Sequence, residues 1–351
     1  MSRAAAGRVV IDGTALVDGS QFRGIGTYLR ELVAGLAAYD DIEPVLMGRR
    51  PIGPARWRGR TGDWLLPRDI RRSRPDIFHS PAQSPPRQVP VPWVQTLHDL
   101  TPLVFRHPLL EADRRRWERI GPRLRQATRV ICVSASSARQ AQQLLGVDPD
   151  RTTVVPLGVD PAFTPEGPRR TDGPYLLWVS SWGPHKGLEI AASVVAALAA
   201  EGRPHQLLVA GYQDTQMLKH VRAAVELAGD RVEVLGHVSE LAPLYRGADA
   251  LLVTSRAEGF GLPALEAMAC GCPVIAFANT SLPEVIGDAG LLIADGDVGG
   301  YVAGVQQLLD DSTLREQLRD SGIRRAKEFT WRRTVERHVE VYRSLLASPL
   351  C

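Results

Sequence analysis

The sequence predicts an α/β protein with two Rossmann-like domains, each built on a doubly wound parallel sheet. Short apolar runs of strand length alternate with stretches of helical period along the 351 residues, a pattern typical of parallel sheets flanked by helices. The alternation breaks once, at residues 156–174, where five prolines and three glycines suggest an interdomain linker. We therefore expect domains over 1–160 and 161–330 that face each other across a cleft, with a last helix, 331–351, able to pack back on the first.

Eleven runs have strand character. The first series lies at residues 8–12, 44–47, 76–79, 93–97, 130–133 and 153–155. The second series lies at residues 175–179, 206–210, 232–235, 250–253 and 273–277. Amphipathic stretches separate the runs: Leu29, Leu32, Val33 and Leu36 share one helix face. Ser134 is a candidate N-cap for a helix through Leu145.

Charge is distributed unevenly around a net value of +3. Residues 1–170 carry 26 Lys and Arg against 17 Asp and Glu, a net charge near +9, and the remainder is near −6. A basic first half favours an acidic acceptor, an anionic membrane surface or nucleic acid, although a solvated basic face is the preferred interpretation of any single arginine. Within this basic half, arginines are concentrated in a helical region over residues 114–125.

Neither the cysteines nor the apolar runs indicate a secreted or membrane-spanning protein. The four cysteines fit neither a disulfide framework nor a four-ligand zinc pattern, and no apolar run is long enough to cross a bilayer. The first residues lack the apolar core of a signal peptide. We expect a cytoplasmic protein, with peripheral contact at the inner face of the cell membrane through the basic half.

Two glutamates, Glu258 and Glu266, bracket a segment rich in glycine. The segment follows the strand-like run 250–253 and opens a helix-like run at Pro263. The free N–H groups of a helix N-terminus favour an anionic ligand, and carboxylates accept hydrogen bonds from hydroxyl groups. The combination suits a nucleotide-sugar. The alternatives are that Glu258 is a solvated loop residue, that Glu266 is an exposed glutamate stabilised by the dipole at the helix N-terminus, and that the glycines form an ordinary turn.

Residues 255–292 resemble the donor-binding signature of retaining family 4 glycosyltransferases of the GT-B fold. Further pieces agree in the same order: GIGTYL at 24–29, HDL at 98–100, VS at 133–134, PLGVD at 156–160, PHKG at 184–187 and LGHV at 235–238. The likeness covers nearly the whole chain. The segment with two glutamates is highly specific, whereas the other pieces are weak when each is taken alone.

The resemblance implies roles for the residues of the second half. Glu258 would face the transferred sugar and offset positive charge in an oxocarbenium-like transition state, and Glu266 would accept from the ribose hydroxyls. Backbone N–H groups would contact sugar and phosphate at Gly259, Phe260, Gly261 and Leu262. The backbone of Val238 would lie near the nucleobase.

Lys186 would neutralise the donor diphosphate and stabilise the leaving nucleotide. It is one of three lysines beside 39 arginines, so a lysine here is unusual, although a surface loop lysine remains the alternative. Many relatives also carry an arginine just before this lysine or a few residues upstream, where this chain has His185. Arg23, Arg256 or His185 itself would then have to serve as the second phosphate-binding group.

Two features of the first half complete the expected site. Gly24 and Gly26 resemble a loop, ahead of a helix over 27–39, that closes over the donor phosphates. The third glycine of a dinucleotide fingerprint is missing, because Leu29 stands there. His98, after the strand at 93–97, would face the donor sugar from the other wall, although a lone histidine is more often structural.

We therefore expect a retaining glycosyltransferase that moves a hexose-type sugar from a nucleotide diphosphate donor to a hydroxyl acceptor, whether a glycan, a lipid-linked molecule or a small molecule. No metal, further cofactor or nucleic-acid partner is expected. Closure of the domains would exclude water, and a donor phosphate oxygen would accept the acceptor proton. Three alternatives stay open: a non-hydrolysing sugar-nucleotide epimerase, an NAD-dependent oxidoreductase, which fits poorly, and a non-catalytic sugar-nucleotide-binding protein.

Overall fold

The structure, a computed structural model, describes residues 6–16, 24–48, 66–81, 84–180, 183–211 and 218–347. The chain divides into two compact units. Unit 1 takes the chain up to Leu103, Leu110–Gly158 and the segment from Trp331 onward, and unit 2 takes Val104–Leu109 and Val159–Thr330.

Unit 1 is built on a six-stranded parallel sheet. Its strands are β1 (Gly7–Asp12), β2 (Ile42–Met47), β3 (Ile77–Ser80), β4 (Trp93–Leu97), β5 (Arg129–Cys132) and β6 (Thr152–Val154). Its connections contain α1 (Gly24–Leu36), α2 (residues 66–73), α3 (Thr101–Val104), α4 (Glu111–Ile120) and α5 (Ala135–Leu145). The strand order is β2-β1-β3-β4-β5-β6.

Unit 2 repeats this architecture with a second six-stranded parallel sheet. Its strands are β7 (Tyr175–Val179), β8 (Gln206–Ala210), β9 (Val232–Gly236), β10 (Ala250–Val253), β11 (Val274–Phe277) and β12 (Leu291–Ile293). Its helices are α6 (Leu188–Ala200), α7 (Leu218–Ala228), α8 (Ala242–Gly247), α9 (Leu262–Ala269), α10 (Leu282–Ile286), α11 (Val298–Asp310) and α12 (Ser312–Ala326). A last helix, α13 (Trp331–Leu346), returns to unit 1.

The order of the strands in unit 2 fixes where a ligand is expected. The sheet runs β12-β11-β10-β7-β8-β9, so the chain adds strands on one side of β7 and then, from β10 onward, on the other. Helices that leave β7 and β10 diverge at this reversal and open a crevice at the carboxyl ends of the two strands. Open parallel sheets bind ligands in such a crevice.

Local sequence explains why the helices begin and end where they do. In α5 the side chain of Ser134 accepts from the N–H of Ser137, so the predicted N-cap is present. Gly146 ends the helix in the left-handed conformation, which lacks a steric penalty for glycine. The apolar α6 is buried along most of its length against the sheet, as expected for a helix with few polar residues.

All eleven predicted strands are present, and β12 was missed. This strand has three half-buried residues at the edge of the sheet and follows a turn within a stretch that has no clear alternation. The helix predicted over 27–39 also begins earlier, because Gly24 already belongs to α1. The expectation that Gly24 and Gly26 form a loop is therefore wrong: both lie in the first turn of this helix.

The stretch 156–174 is not a free linker. From Val159 onward it belongs to unit 2. The guanidinium of Arg246 donates to the carbonyl groups of Thr164 and Pro168, and the N–H of Arg170 donates to the carbonyl of Pro243. Prolines and glycines here mark an irregular segment that packs on α8 rather than a flexible connection.

Polar side chains attach α13 to unit 1. The Nδ1 of His338 lies 2.7 Å from the carbonyl oxygen of Thr334, so Nδ1 carries the proton. Burial lowers the pKa of His338 to about 4 and keeps the ring neutral. Its Nε2 therefore accepts, at 2.7 Å, from the hydroxyl of Tyr28 in α1.

The same chain of hydrogen bonds continues into the sheet. Because the Tyr28 hydroxyl donates to His338, its oxygen accepts from Thr96 at 2.8 Å. Thr96 in turn accepts from the Nε2 of His79 at 2.7 Å, and the Nδ1 of His79 accepts from the hydroxyl of Tyr342 at 2.6 Å. One carbonyl group thus fixes the direction of the whole chain, which links α13 to α1, β3 and β4.

None of the helices in the described part of the chain is long and apolar enough to cross a membrane.

Candidate functional site

Lys186 and Glu258 meet at the reversal of strand order in unit 2. Lys186 follows β7 and Glu258 follows β10, and the Nζ of Lys186 lies 2.7 Å from the Oε1 of Glu258. Each side chain is 13% exposed. The pair is therefore partly shielded from water, where a charge-assisted hydrogen bond is stronger than at an open surface.

A glycine allows the two loops to approach. Gly187 has φ of +65°, and a Cβ atom there would lie 2.5 Å from the carbonyl oxygen of Thr254. The backbone after Lys186 can therefore pass directly against the end of β10. Thr254 completes the contact, because its hydroxyl donates to the carbonyl of Lys186 and accepts from the indole N–H of Trp178.

Glu258 is held at its side chain and at its backbone. The hydroxyl of Ser255 donates to Oε1 at 2.7 Å, alongside Lys186. The backbone N–H of Glu258 donates to the Oγ1 of Thr280, and its carbonyl accepts from the hydroxyl of Ser281. Both side-chain hydrogen bonds of Glu258 to the described residues thus involve Oε1.

The glycine-rich segment leads from Glu258 into α9. Gly261 has φ of +106°, and α9 begins at Leu262 with Pro263 in its first turn. Gly259 lies between, half-buried. The side chain of Phe260 is buried and packs edge-on against Phe329, with ring centroids 5.9 Å apart. Only the backbone of Phe260 is therefore suited to meet a ligand.

Glu266 lies in the second turn of α9, where the hydroxyl of Tyr245 donates to its Oε2 at 2.8 Å. Burial raises the pKa of Glu266 to about 7, the hydrogen bond from Tyr245 opposes the rise, and the nearby charge of Asp160 adds to it. The carboxyl group therefore titrates close to neutral pH, which is a feature common at functional sites.

The candidates for a second cation near Lys186 differ in their surroundings. Burial, and then the charge of Lys186, hold the pKa of His185 well below its usual value, so the ring is neutral and offers no second charge. Arg256 is paired with Asp295 at 3.1 Å. Arg23 lies outside the described residues.

Of the candidates in unit 1, His98 lies immediately after β4. Its ring stands edge-on to that of Tyr28, with centroids 4.9 Å apart, and its Nε2 has no hydrogen-bond partner among the described residues. Burial lowers the pKa of His98 to about 4, although a hydrogen bond with the backbone of Pro81 works against this. His98 therefore presents a neutral ring nitrogen. Gly24 and Gly26 open α1 at the same carboxyl edge of the sheet.

Val238 follows β9, the edge strand next to β8, and is half-buried. The structure thus brings Lys186 together with Glu258 and places Glu266 in the adjoining helix, whereas Val238 lies at the carboxyl end of a strand two places from β7. Among the described residues, no three His, Cys, Asp or Glu side chains are grouped closely enough to hold a metal ion.

Sequence reasoning missed the residues that hold the site. They are Tyr245, Thr254, Ser255, Thr280 and Ser281. A signal was present for four of them, because polar pairs directly follow the apolar strand β10 and lie just beyond β11, at the edge where ligands bind. Tyr245 carries no such signal, since an aromatic residue in a short helix usually packs in a core.

Much of the basic charge over residues 114–125 is engaged within unit 1. Arg114 pairs with Glu111 and Glu118 along α4. Arg123 donates to the carbonyl of Pro85, and Arg125 donates to that of Leu145. These arginines stabilise the unit locally, which supports the interpretation of this region as a solvated helical face.

Family models match both halves of the chain. The model described as Glycosyltransferase Family 4 matches residues 22–163, and the model described as Glycosyl transferases group 1 matches residues 160–325. The chain belongs to the family 4 glycosyltransferases. The resemblance inferred from the sequence is thereby confirmed, and glycosyl transfer is the class of reaction that this family membership carries.

Curated relatives of this family 4 glycosyltransferase are named as glycosyltransferases of different kinds. The O-antigen chain mannosyltransferase B of Escherichia coli is 29% identical over 296 residues, which are 79% of this chain and 76% of that protein. The D-inositol 3-phosphate glycosyltransferase of Geodermatophilus obscurus is 37% identical over 240 residues, which are 62% of this chain. The aligned part spans about half of that relative, 52% of its length.

Solved structures confirm the GT-B fold of this glycosyltransferase. Sucrose-phosphate synthase from Thermosynechococcus elongatus superposes with a TM-score of 0.81 at 21% identity, over 97% of this chain and 99% of that one. The HepE protein of Anabaena, solved in complex with UDP and glucose, gives a TM-score of 0.71 at 17% identity, over 96% and 99% of the two chains. At these identities the likeness concerns the fold alone.

Proposed function

We propose that the protein transfers a sugar from a nucleoside diphosphate sugar to a hydroxyl group and retains the anomeric configuration. The observation that carries this proposal is the contact between Lys186 and Glu258 at the reversal of strand order in unit 2. A cation and a carboxylate at one crevice match the two ends of the scissile bond: the diphosphate that leaves and the sugar carbon that becomes positive.

In this proposal Lys186 exchanges partners when the donor binds. Its ammonium group moves from Glu258 to the diphosphate oxygens, which are stronger acceptors with more charge. The cation then stabilises the negative charge that develops on the leaving nucleotide. Because no second cation is available from His185, whose ring is neutral, the N-terminus of α9 supplies the remaining donors to phosphate.

Glu258 acts on the sugar. Ser255 and the backbone contacts keep its carboxylate at the crevice, where it accepts from sugar hydroxyls and stabilises an oxocarbenium-like transition state electrostatically. The acceptor oxygen would attack on the face that the nucleotide leaves, so that the configuration is retained. A donor phosphate oxygen would take the acceptor proton.

Glu266 binds the ribose of the donor. Two carboxylate oxygens suit a pair of neighbouring hydroxyls, and the Tyr245 hydroxyl holds one of the oxygens in place. The backbone near Val238 would contact the nucleobase. We propose further that Lys186 and α9 make a metal ion unnecessary, and that the acceptor binds to unit 1, where His98 and the first turn of α1 follow the carboxyl ends of strands.

A cytoplasmic location, with contact between the basic first half and an anionic membrane surface, forms part of the proposal. The net positive charge of residues 1–170 supports it, although some of the arginines of α4 form ion pairs with glutamates of the same helix. Sedimentation with vesicles rich in anionic lipid, compared with neutral vesicles at the same ionic strength, tests this point. Equal sedimentation with both kinds of vesicle would contradict it.

The decisive experiment is a thermal-shift screen with UDP, GDP, ADP and TDP, followed by the matching nucleotide-sugars. A ligand that binds only the folded state raises the melting temperature in proportion to the logarithm of its concentration over Kd. We expect one nucleotide to stand out, and NMR of the product formed with its sugar derivative to show the anomeric configuration of the donor. A screen in which no nucleotide or nucleotide-sugar raises the melting temperature would refute the proposal.

A further inference from the structure

Thr280 has an unusual backbone conformation beside Glu258. Its φ is +45°, and among the described residues the other non-glycine residue with positive φ is Arg74. This left-handed region is unfavourable for a residue branched at Cβ. Strained backbone persists only where neighbouring interactions hold it, and it is concentrated at functional sites.

The interactions that hold Thr280 lead to the proposed catalytic loop. Its Oγ1 accepts from the backbone N–H of Glu258 at 2.9 Å, and its hydroxyl donates to the side-chain oxygen of Asn279 at 3.2 Å. The amide nitrogen of Asn279 donates to the carbonyl of Ser255 at 2.9 Å. Ser281, the next residue, directs its hydroxyl to the carbonyl oxygens of Glu258 and Phe260.

The side chains of residues 279–281 therefore form hydrogen bonds with backbone N–H and carbonyl groups between Ser255 and Phe260. Two of these contacts reach Glu258 itself: Thr280 accepts from its backbone N–H, and Ser281 donates to its carbonyl oxygen. A shift of this N–H would turn the Cα–Cβ bond of Glu258 and move its carboxylate away from Lys186. A small misplacement of a reacting group has a large effect on rate.

We propose that Thr280 is a positioning residue for Glu258: its hydroxyl fixes the backbone of the carboxylate that stabilises the sugar in the transition state, at the expense of local backbone strain. The inference rests on the function proposed for Glu258. It predicts that activity and stability respond in opposite directions when Thr280 is replaced by glycine, because this substitution removes the strain together with the contact.

Three substitutions separate the hydroxyl from the strain. Thr280→Ser keeps the hydroxyl, Thr280→Ala removes it, and Thr280→Gly removes it and relieves the strain. We expect kcat to fall about tenfold or more in the alanine and glycine variants, with the donor KM changing by less than about threefold. The serine variant retains kcat, and the glycine variant melts no lower than the wild type. Thr313→Ala, at an exposed position of α12, is the matched control.

Hydrogen exchange of the Glu258 amide in the ligand-free protein supplies a readout that needs no activity. We expect the amide to exchange faster in Thr280→Ala and Thr280→Gly and to stay protected in Thr280→Ser. Unchanged exchange in the alanine variant overturns the positioning role, as does unchanged kcat, or a loss of kcat that follows the melting temperature across the series. A wild-type protein that binds no nucleotide-sugar, yet shows the expected exchange pattern, refutes the proposed function and leaves the contact established.

Discussion

The Nζ of Lys186 and the Oε1 of Glu258 lie 2.7 Å apart, across the point where the strand order of unit 2 reverses. In the ligand-free protein each group neutralises the other, and both are largely shielded from water. Removing one member of such a pair leaves the other charge without compensation. Under the proposed function we expect the two substitutions to differ: a change of Glu258 lowers the rate of sugar transfer, and a change of Lys186 lowers the affinity for phosphate.

Glu258→Ala is expected to lower the rate of transfer by a factor of about 10² to 10³, the size of effect seen when a group that stabilises a transition state is removed. The fold should remain, because the loop keeps its backbone hydrogen bonds to Thr280 and Ser281. Steady-state kinetics and circular dichroism check the two expectations. Glu316→Gln, at an exposed position of α12, is the control, and full turnover in the Glu258 variant would refute the role.

Lys186→Met is expected to weaken the binding of a nucleoside diphosphate by about tenfold or more, because charge-assisted hydrogen bonds to phosphate are lost. Affinity for the corresponding nucleoside, which has no phosphate, should change little. Isothermal titration with both ligands measures the difference. Lys327→Met removes an exposed lysine and serves as the control. An equal loss of affinity for both ligands would argue against a contact with phosphate.

Chelation tests whether the protein replaces a metal ion. If Lys186 and the N-terminus of α9 stabilise the leaving diphosphate, EDTA should leave the initial rate unchanged, and added Mg²⁺ should not restore the Lys186→Met variant. Initial rates measured with EDTA and then with excess Mg²⁺ or Mn²⁺ decide the matter. A strict requirement for a divalent ion would contradict the role of Lys186.

The fold could be predicted largely from periodicity, because most of the strands are short apolar runs between stretches of helical period. β12 (Leu291–Ile293) is also apolar, but a run of three residues is too short to be distinguished from a loop by its pattern. The register and the strand order could not be predicted, because they depend on contacts between runs that are distant in sequence. The attachment of the irregular segment 159–174 to α8 was also hidden, since it depends on the side chain of Arg246, on the contact between the rings of Phe163 and Tyr245, and on backbone groups.

For the site, the sequence supplied candidate ligand-binding residues but not the residues that hold them in place. Glu258, Glu266 and Lys186 belong to recognisable segments. Tyr245, by contrast, reaches Glu266 from a helix 21 residues earlier, and the contact of Thr280 with Glu258 spans 22 residues. Such partners are set by the tertiary structure, so no spacing in the sequence predicts them.

Binding of the donor is expected to depend on pH through Glu266. When ionised, its carboxylate offers both oxygens as acceptors to the ribose hydroxyls, whereas protonation turns one oxygen into a donor. The pKa of this carboxyl is raised to about 7. Affinity for a nucleotide-sugar should therefore increase as the pH rises through 7 and fall by up to about tenfold for each unit below it. The charged and titratable groups that face it are Asp160, Tyr245 and Cys270. Titrations between pH 5.5 and 8.5, a range set by that pKa of about 7, measure the curve.

Two variants test whether Glu266 causes this pH dependence of donor binding. Glu266→Gln does not ionise and should give a flat profile with weak binding. Tyr245→Phe removes the hydrogen bond that lowers the pKa of Glu266, so the rise in affinity should move to higher pH. A wild-type profile that is flat, or that survives in Glu266→Gln, would show that another group controls binding.

Acid should destabilise unit 1 through its buried histidines. The pKa of His338 falls from 6.5 to about 4 on burial, and that of His98 does the same. A base with a lowered folded pKa binds fewer protons when folded. Its contribution to stability is complete above pH 6.5 and is lost as the pH falls toward 4, by about 1.4 kcal/mol per pH unit for each histidine.

Urea unfolding at several pH values between 7 and 4 measures this effect. Glu266 acts in the opposite direction, because a carboxyl with a raised folded pKa stabilises the folded protein as the pH falls from 7 toward 4.5. The informative quantity is therefore the difference between variants. In His98→Asn, the dependence of unfolding free energy on pH should be weaker than in the wild type by the equivalent of about one proton. The reason is that the variant lacks one group whose pKa differs between the folded and unfolded states. Thr313→Ala, at an exposed position of α12, removes no titratable group and should keep the slope. Equal slopes in the two variants would show that His98 is charged already in the folded protein, and the neutral ring nitrogen assigned to it would then be wrong.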